Sequence, residues 1–118
     1  MNNTNILNTE TLIKACLERL KQAIGPGLPI HIGQAKQQAY DMDILIKTKP
    51  PIHLAVEAKT RIATRNQARH IIVQCKGIPQ AKADLMVFTQ WVPEPVAEVF
   101  RKAGIFFIDA QGNALIRK

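Results

Sequence analysis

Cysteines, aromatic side chains and acidic residues are all scarce in this chain, and each shortage narrows what the protein can be. Its two cysteines, Cys16 and Cys75, form no CxxC and no Cys/His cluster, which excludes a metal site built on thiolates. Both fall on the apolar face of an expected helix and read as small core hydrophobes. No apolar run approaches the length of a membrane span. The opening residues, MNNTNILNTE, lack the basic segment and apolar stretch of a secretory leader. The expectation is a soluble cytoplasmic protein with no membrane partner. Aromatic residues make up 5% of the chain, too few for a row of stacking platforms, so Trp91 is expected to be a packing anchor. Acidic residues number nine against sixteen Lys and Arg, a net charge of +7, and much of the excess falls in residues 47–69. A clustered basic balance favours a polyanion, nucleic acid first.

What is present describes one ordinary domain. A chain of 118 residues, 47% hydrophobic and 21% charged, can bury a single core, so residues 1–118 are expected to form one unit. Asn8 or Thr9 can cap a first helix reaching about Ile24, with Leu12, Cys16, Leu20, Ala23 and Ile24 on one stripe. Gly25-Pro26-Gly27 stops it, residues 28–32 are extended, and the polar GQAKQQ reads as a connection. Thr64 and Gln67 have capping-box spacing and open a helix carrying Ala68, Ile71, Ile72 and Cys75 inward. A strand over residues 84–89 follows. A helix then starts at Pro93, buries Val96, Val99, Phe100 and Ala103, and stops at Gly104. Residues 105–108 and 114–116 are strands joined by a turn at Gln111-Gly112-Asn113, which Asp109 is expected to serve. The order α-β-β-β-α-β-α-β-β predicts an α/β fold, a mixed sheet flanked by helices.

Residues 41–47 and 52–59 alternate with a period of two. Met42, Ile44 and Ile46 are apolar in the first, as are Ile52, Leu54, Val56 and Ala58 in the second. Lys49-Pro50-Pro51 turns the chain between them. In an antiparallel hairpin, opposed residues share a face, so the two apolar faces coincide only if paired numbers sum to an even value. A sum of 100 sets Asp43 opposite Glu57 and Asp41 opposite Lys59. A sum of 98 sets Asp41 opposite Glu57. Either register brings an Asp and a Glu together on an exposed face beside Lys59. Paired carboxylates repel unless a proton or cation intervenes, and Mg²⁺, or Mn²⁺ in its place, suits such a pair. The chemistry expected of the group is metal-assisted phosphodiester hydrolysis, with Asp43 or Asp41 and Glu57 as ligands and Lys59 positioning the nucleophile. The competing expectation is a solvated strand end.

The pattern Asp43…Glu57-x-Lys59, within the order α-β-β-β-α-β, resembles the PD-(D/E)xK superfamily of restriction-endonuclease-like fold, with Met42 where a Pro would precede the Asp. Members similar to Holliday-junction resolvases add a Glu near the start of the first helix, and that likeness makes Glu10 an auxiliary catalytic ligand. A second resemblance covers the C-terminal third. The stretch VFTQWVPEPVAEVFRKAGIFFIDAQGNALI, with Asp109, Gly112, Asn113 and Ala114, is similar to prokaryotic AbiEi-type antitoxins, transcriptional regulators of type IV toxin–antitoxin systems, whose VEVK resembles Val56-Glu57-Ala58-Lys59. Those regulators generally continue into a winged helix-turn-helix, whereas this chain ends two residues after Ile116.

Together the resemblances imply a DNA-binding domain of nuclease fold. It is either a Mg²⁺-dependent DNA endonuclease or a binding module retaining the carboxylates, with docking of a cognate toxin or homo-oligomer formation as a further alternative. Arg61, Arg65, Arg69 and Lys76 are the candidate DNA contacts. Arg65 and Arg69 lie one helical turn apart, which suits a phosphate track better than base readout. His53 is expected at the surface or facing DNA, and His31 and His70 as structural residues.

Overall fold

The computed structural model describes residues 9–25, 27–34, 41–76 and 84–116. Its elements are α1 (Thr9–Ile24), β1 (Ile30–Gln34), β2 (Met42–Ile46), β3 (Ile52–Lys59), α2 (Arg65–Lys76), β4 (Asp84–Thr89), α3 (Glu94–Ala103), β5 (Phe106–Asp109) and β6 (Ala114–Leu115). Six strands form one sheet in chain order. The first three are antiparallel, β3, β4 and β5 run parallel, and β6 returns antiparallel. This is the expected mixed sheet flanked by helices.

Strand alternation divides the core into two layers. On one face Leu12, Cys16 and Leu20 of α1 pack on Met42, Ile44, Ile46, Leu54, Val56, Met86, Phe88 and Ile108. Each of these even-numbered strand residues lies on the face that alternation assigns to the interior. On the other face α2 and α3 bring Ala68, Ile71, Val96, Ala97 and Phe100 onto Val87 and Phe107. Ile24 ends the α1 stripe as expected, packing half-buried against the first of these layers, whereas Ala23 is exposed.

The helix ends follow from local chemistry. Gln67 N–H donates to Thr64 Oγ1 at 3.1 Å, while Gln67 Oε1 accepts from Ala63 N–H at 2.7 Å and Thr64 N–H at 3.2 Å. This is a reciprocal capping box. Pro93 is the N-cap of α3 rather than its first residue. Gly104, at φ 74°, closes the helix as Ile105 N–H reaches Phe100 O at 2.9 Å. Asn8 and the Cys75 side chain lie outside the described residues.

The hairpin loop is longer than expected. Ile46 pairs with Ile52, so five residues connect the strands and paired numbers sum to 98. Pro50 and Pro51 have no N–H to extend the ladder, and the Thr48 hydroxyl turns inward to donate to Pro50 O at 2.8 Å. The sum is still even, as burial of both apolar faces demands. The register is two residues away from the one that opposes Asp43 to Glu57.

Asp109 is fully buried. Its Oδ1 accepts from Gln111 N–H at 3.0 Å and Asn113 N–H at 2.8 Å. Its Oδ2 accepts from Val92 N–H and Asn113 Nδ2, both at 2.9 Å. It serves the expected turn and also ties that turn to the β4–α3 loop. Its register neighbour Thr89 is equally buried, and among the described residues its hydroxyl has no partner. These two buried groups should respond oppositely to removal. Asp109→Ala strands several amide donors and should lower stability by about 2–4 kcal/mol, whereas Thr89→Val removes an orphan hydroxyl and should be neutral or stabilising by about 1 kcal/mol. Urea denaturation of both variants measures this, and a clear loss in Thr89→Val would mean that its hydroxyl is bonded.

Candidate functional site

The end of β3 collects the charged residues picked out by the sequence. Because the register sums to 98, Asp43 lies opposite Ala55 rather than Glu57, and Asp41, just before β2, takes the place facing Glu57. Asp41 N–H donates to Val56 O at 2.8 Å, and Asp41 Oδ2 accepts from Ala58 N–H at 2.8 Å. The residue is thereby clamped to β3 on both sides of Glu57. Asp43 shares the Glu57 face at the diagonal position, roughly 7–8 Å away along the ladder.

Glu57 is not a solvated strand end, nor does it lie on an exposed face. It is 6% exposed and lies among Ile71 and Ile72 of α2, Leu85 and Val87 of β4, and Ile105. Lys59 Nζ stands 3.3 Å from Glu57 Oε2, with its own side chain half in solvent. Burial among apolar groups pushes the Glu57 carboxyl above its ordinary range. The charge of Asp41 pushes the same way, and Lys59 opposes both. Asp41 thus lies within electrostatic reach of Glu57.

Glu10 sits exposed in the first turn of α1, which packs on the face opposite Glu57. Among the described residues no three His, Cys, Asp or Glu side chains gather into a group that could hold a metal ion. Asp43 and Glu10 therefore do not complete a three-carboxylate set, and the cluster consists of Asp41, Glu57 and Lys59.

Beyond it, Arg61, Arg65 and Arg69 are all exposed. None of the three is paired with a carboxylate among the described residues, and Arg69 Nη1 donates to Asn66 Oδ1 at 3.2 Å. Lys76 ends α2, and its side chain lies outside the described residues. His31, His53 and His70 are exposed, so the expected structural role for His31 and His70 does not involve burial. Trp91 departs most from expectation. It is 56% exposed, and the neighbouring Val92 takes the core position.

The raised Glu57 carboxyl gives a signed dependence on pH. Folding favours its protonated form, so its contribution to stability is fully present below the unfolded-state value and is lost as pH rises through the folded one. Glu57→Gln mimics the protonated form and should raise the urea midpoint at pH 7, with the advantage shrinking toward pH 4. A difference that is constant with pH, or larger in acid, would contradict the burial argument.

No family model, curated protein or solved structure matches the chain.

Proposed function

We propose that this domain binds DNA through the exposed face of α2, with Asp41, Glu57 and Lys59 forming a divalent-cation and phosphate site at its border. The observation that carries the reading is electrostatic. Between Glu57 and Asp84 the chain contains no acidic residue, and Arg61, Arg65 and Arg69 of this segment are exposed without carboxylate partners among the described residues. Such a surface suits a phosphate backbone, which supplies the missing negative charge. The resemblance to PD-(D/E)xK nucleases and AbiEi-type regulators supports the same assignment.

The carboxylate pair fits a hard cation in donor chemistry. Asp41 and Glu57 offer oxygen ligands close enough to repel when both are ionised, and Mg²⁺ is commonly held by one or two carboxylates with its remaining positions filled by water. A bound Mg²⁺ or Mn²⁺ would supply Lewis-acid polarisation of a phosphoryl oxygen. The protein's own part is to orient. The Ala58 amide fixes Asp41, and the apolar wall holds Glu57 in place. The Lys59 ammonium, half in solvent beside Glu57, would balance charge developing on a bound phosphate. Whether the domain also cuts DNA is the endonuclease alternative, read out separately from binding.

Fluorescence anisotropy with labelled DNA across a salt series tests the phosphate track. Wild-type affinity should fall steeply with salt, and the Arg65→Ala/Arg69→Ala variant should weaken binding to all sequences alike, lowering the slope of log affinity against log salt by about two. Unchanged affinity and slope in the double variant would eliminate the track. In calorimetry, Mg²⁺ or Mn²⁺ at millimolar concentration should give heats that Glu57→Ala abolishes while leaving DNA binding intact. Equal heats from both proteins would remove the cation from the proposal.

A further inference from the structure

The exposed indole of Trp91 lies at the same end of the sheet as Lys59 and Arg61. Strands β3, β4 and β5 are parallel, and their last residues, Lys59, Thr89 and Asp109, are register partners. The segments following β3 and β4 therefore leave from one end of the sheet. Each turns onto the α2/α3 face by placing a residue in the same apolar cluster, Ile62 in one case and Val92 in the other. The residue immediately before each plug stays outside, and these residues are Arg61 and Trp91.

Trp91 is firmly based. Thr89 is fully buried and Val92 nearly so, and Val92 N–H is held by Asp109 Oδ2 at 2.9 Å. Two residues further on, α3 begins. The backbone beneath the indole is thus fixed on both sides while the ring faces water. A large flat apolar group held out by a rigid loop invites a flat partner. Among the described residues the other exposed large hydrophobics, Ile32 on β1 and Val73 on α2, are aliphatic and lie on other elements.

We propose that Trp91 is a stacking platform for an unpaired nucleobase, so that the preferred partner is single-stranded DNA or DNA with an unpaired segment. The inference rests on the DNA-binding reading above and narrows its substrate class. A cation beside an aromatic ring is the pairing with which proteins grip single strands, the cation following the backbone and the ring taking a base face. In a duplex those faces are covered by neighbouring base pairs, and only edges and phosphates remain accessible. Charge complementarity selects a polyanion over an apolar partner, since Lys59 and Arg61 leave the sheet at the same end as Trp91.

The chain has one tryptophan, so its fluorescence reports on this position alone. Full-length protein is titrated at low salt with an oligo(dT) strand and with a blunt duplex of equal length, alongside Trp91→Ala and Trp91→Phe. The single strand should quench the indole saturably. Trp91→Ala should weaken single-strand binding by roughly 5- to 150-fold, the range that one base–aromatic stack commands, while duplex affinity and its salt slope stay unchanged. Trp91→Phe should recover most of the loss, which a merely altered loop would not allow. Salt-dependent binding that Trp91→Ala leaves equal for both ligands would overturn the stacking role alone and keep the phosphate track. Absence of wild-type binding to either ligand would overturn both. A wild-type oligomer that Trp91→Ala dissociates in sedimentation, without quenching by the strand, would overturn the proposal in favour of a contact between copies of the chain.

Discussion

A carboxylate with no exposed surface, Asp109, accepts hydrogen bonds from two separate segments, and the arrangement of one end of the sheet depends on it. Its Oδ1 organises the turn into β6, and its Oδ2 reaches back to Val92. Burying a carboxylate is costly unless its lone pairs are filled, so the backbone amides around it have little freedom to move independently. Its bond to Val92 ties that turn to the loop that carries Trp91 and leads into α3. Thr89, its neighbour in register, is equally buried, and among the described residues its hydroxyl has no partner.

Glu57 is a buried carboxylate handled differently. The backbone satisfies Asp109, whereas Glu57 has only the half-exposed Lys59 on one side and a second carboxyl on the other. An apolar wall from α2 and β4 keeps most water away from it. A residue placed only for solubility would not face inward beneath Ile71, and one placed only for packing would not carry a charge. Unlike Asp109, it depends on a side-chain cation and not on backbone amides to offset its burial.

Much of the architecture was legible because it is local. The spacing of Leu12, Cys16 and Leu20 specified the buried stripe of α1. The even-numbered residues of β2 and β3 specified a face, and Thr64 with Gln67 specified the start of α2. The hairpin register was legible only in its parity. Two prolines between the strands left loops of three or five residues open, and the side-chain bond from Thr48 that accompanies the longer loop has no signature in the strand pattern. The burial of Glu57 and the exposure of Trp91 were not legible, because each depends on what packs above it: α2 covers one, and Val92 displaces the other from the core. The long reach of Asp109 was hidden for a similar reason, since its partner Val92 lies in a loop that precedes α3. For Glu10, a place near the start of the helix says nothing about which face of the sheet that helix covers, and α1 covers the face away from Glu57.

The two helices that share a face of the sheet differ in electrical character. On α3, Arg101 pairs with Glu98 and Glu94, and Lys102 with Glu98, so that surface is largely neutralised from within. On α2 the guanidinium groups of Arg65 and Arg69 have no carboxylate partners among the described residues. The resulting field is lopsided, and it extends about one Debye length, roughly 8 Å at physiological ionic strength. An anion within that distance of α2 meets guanidinium charge before contact, whereas beside α3 the opposed charges largely cancel.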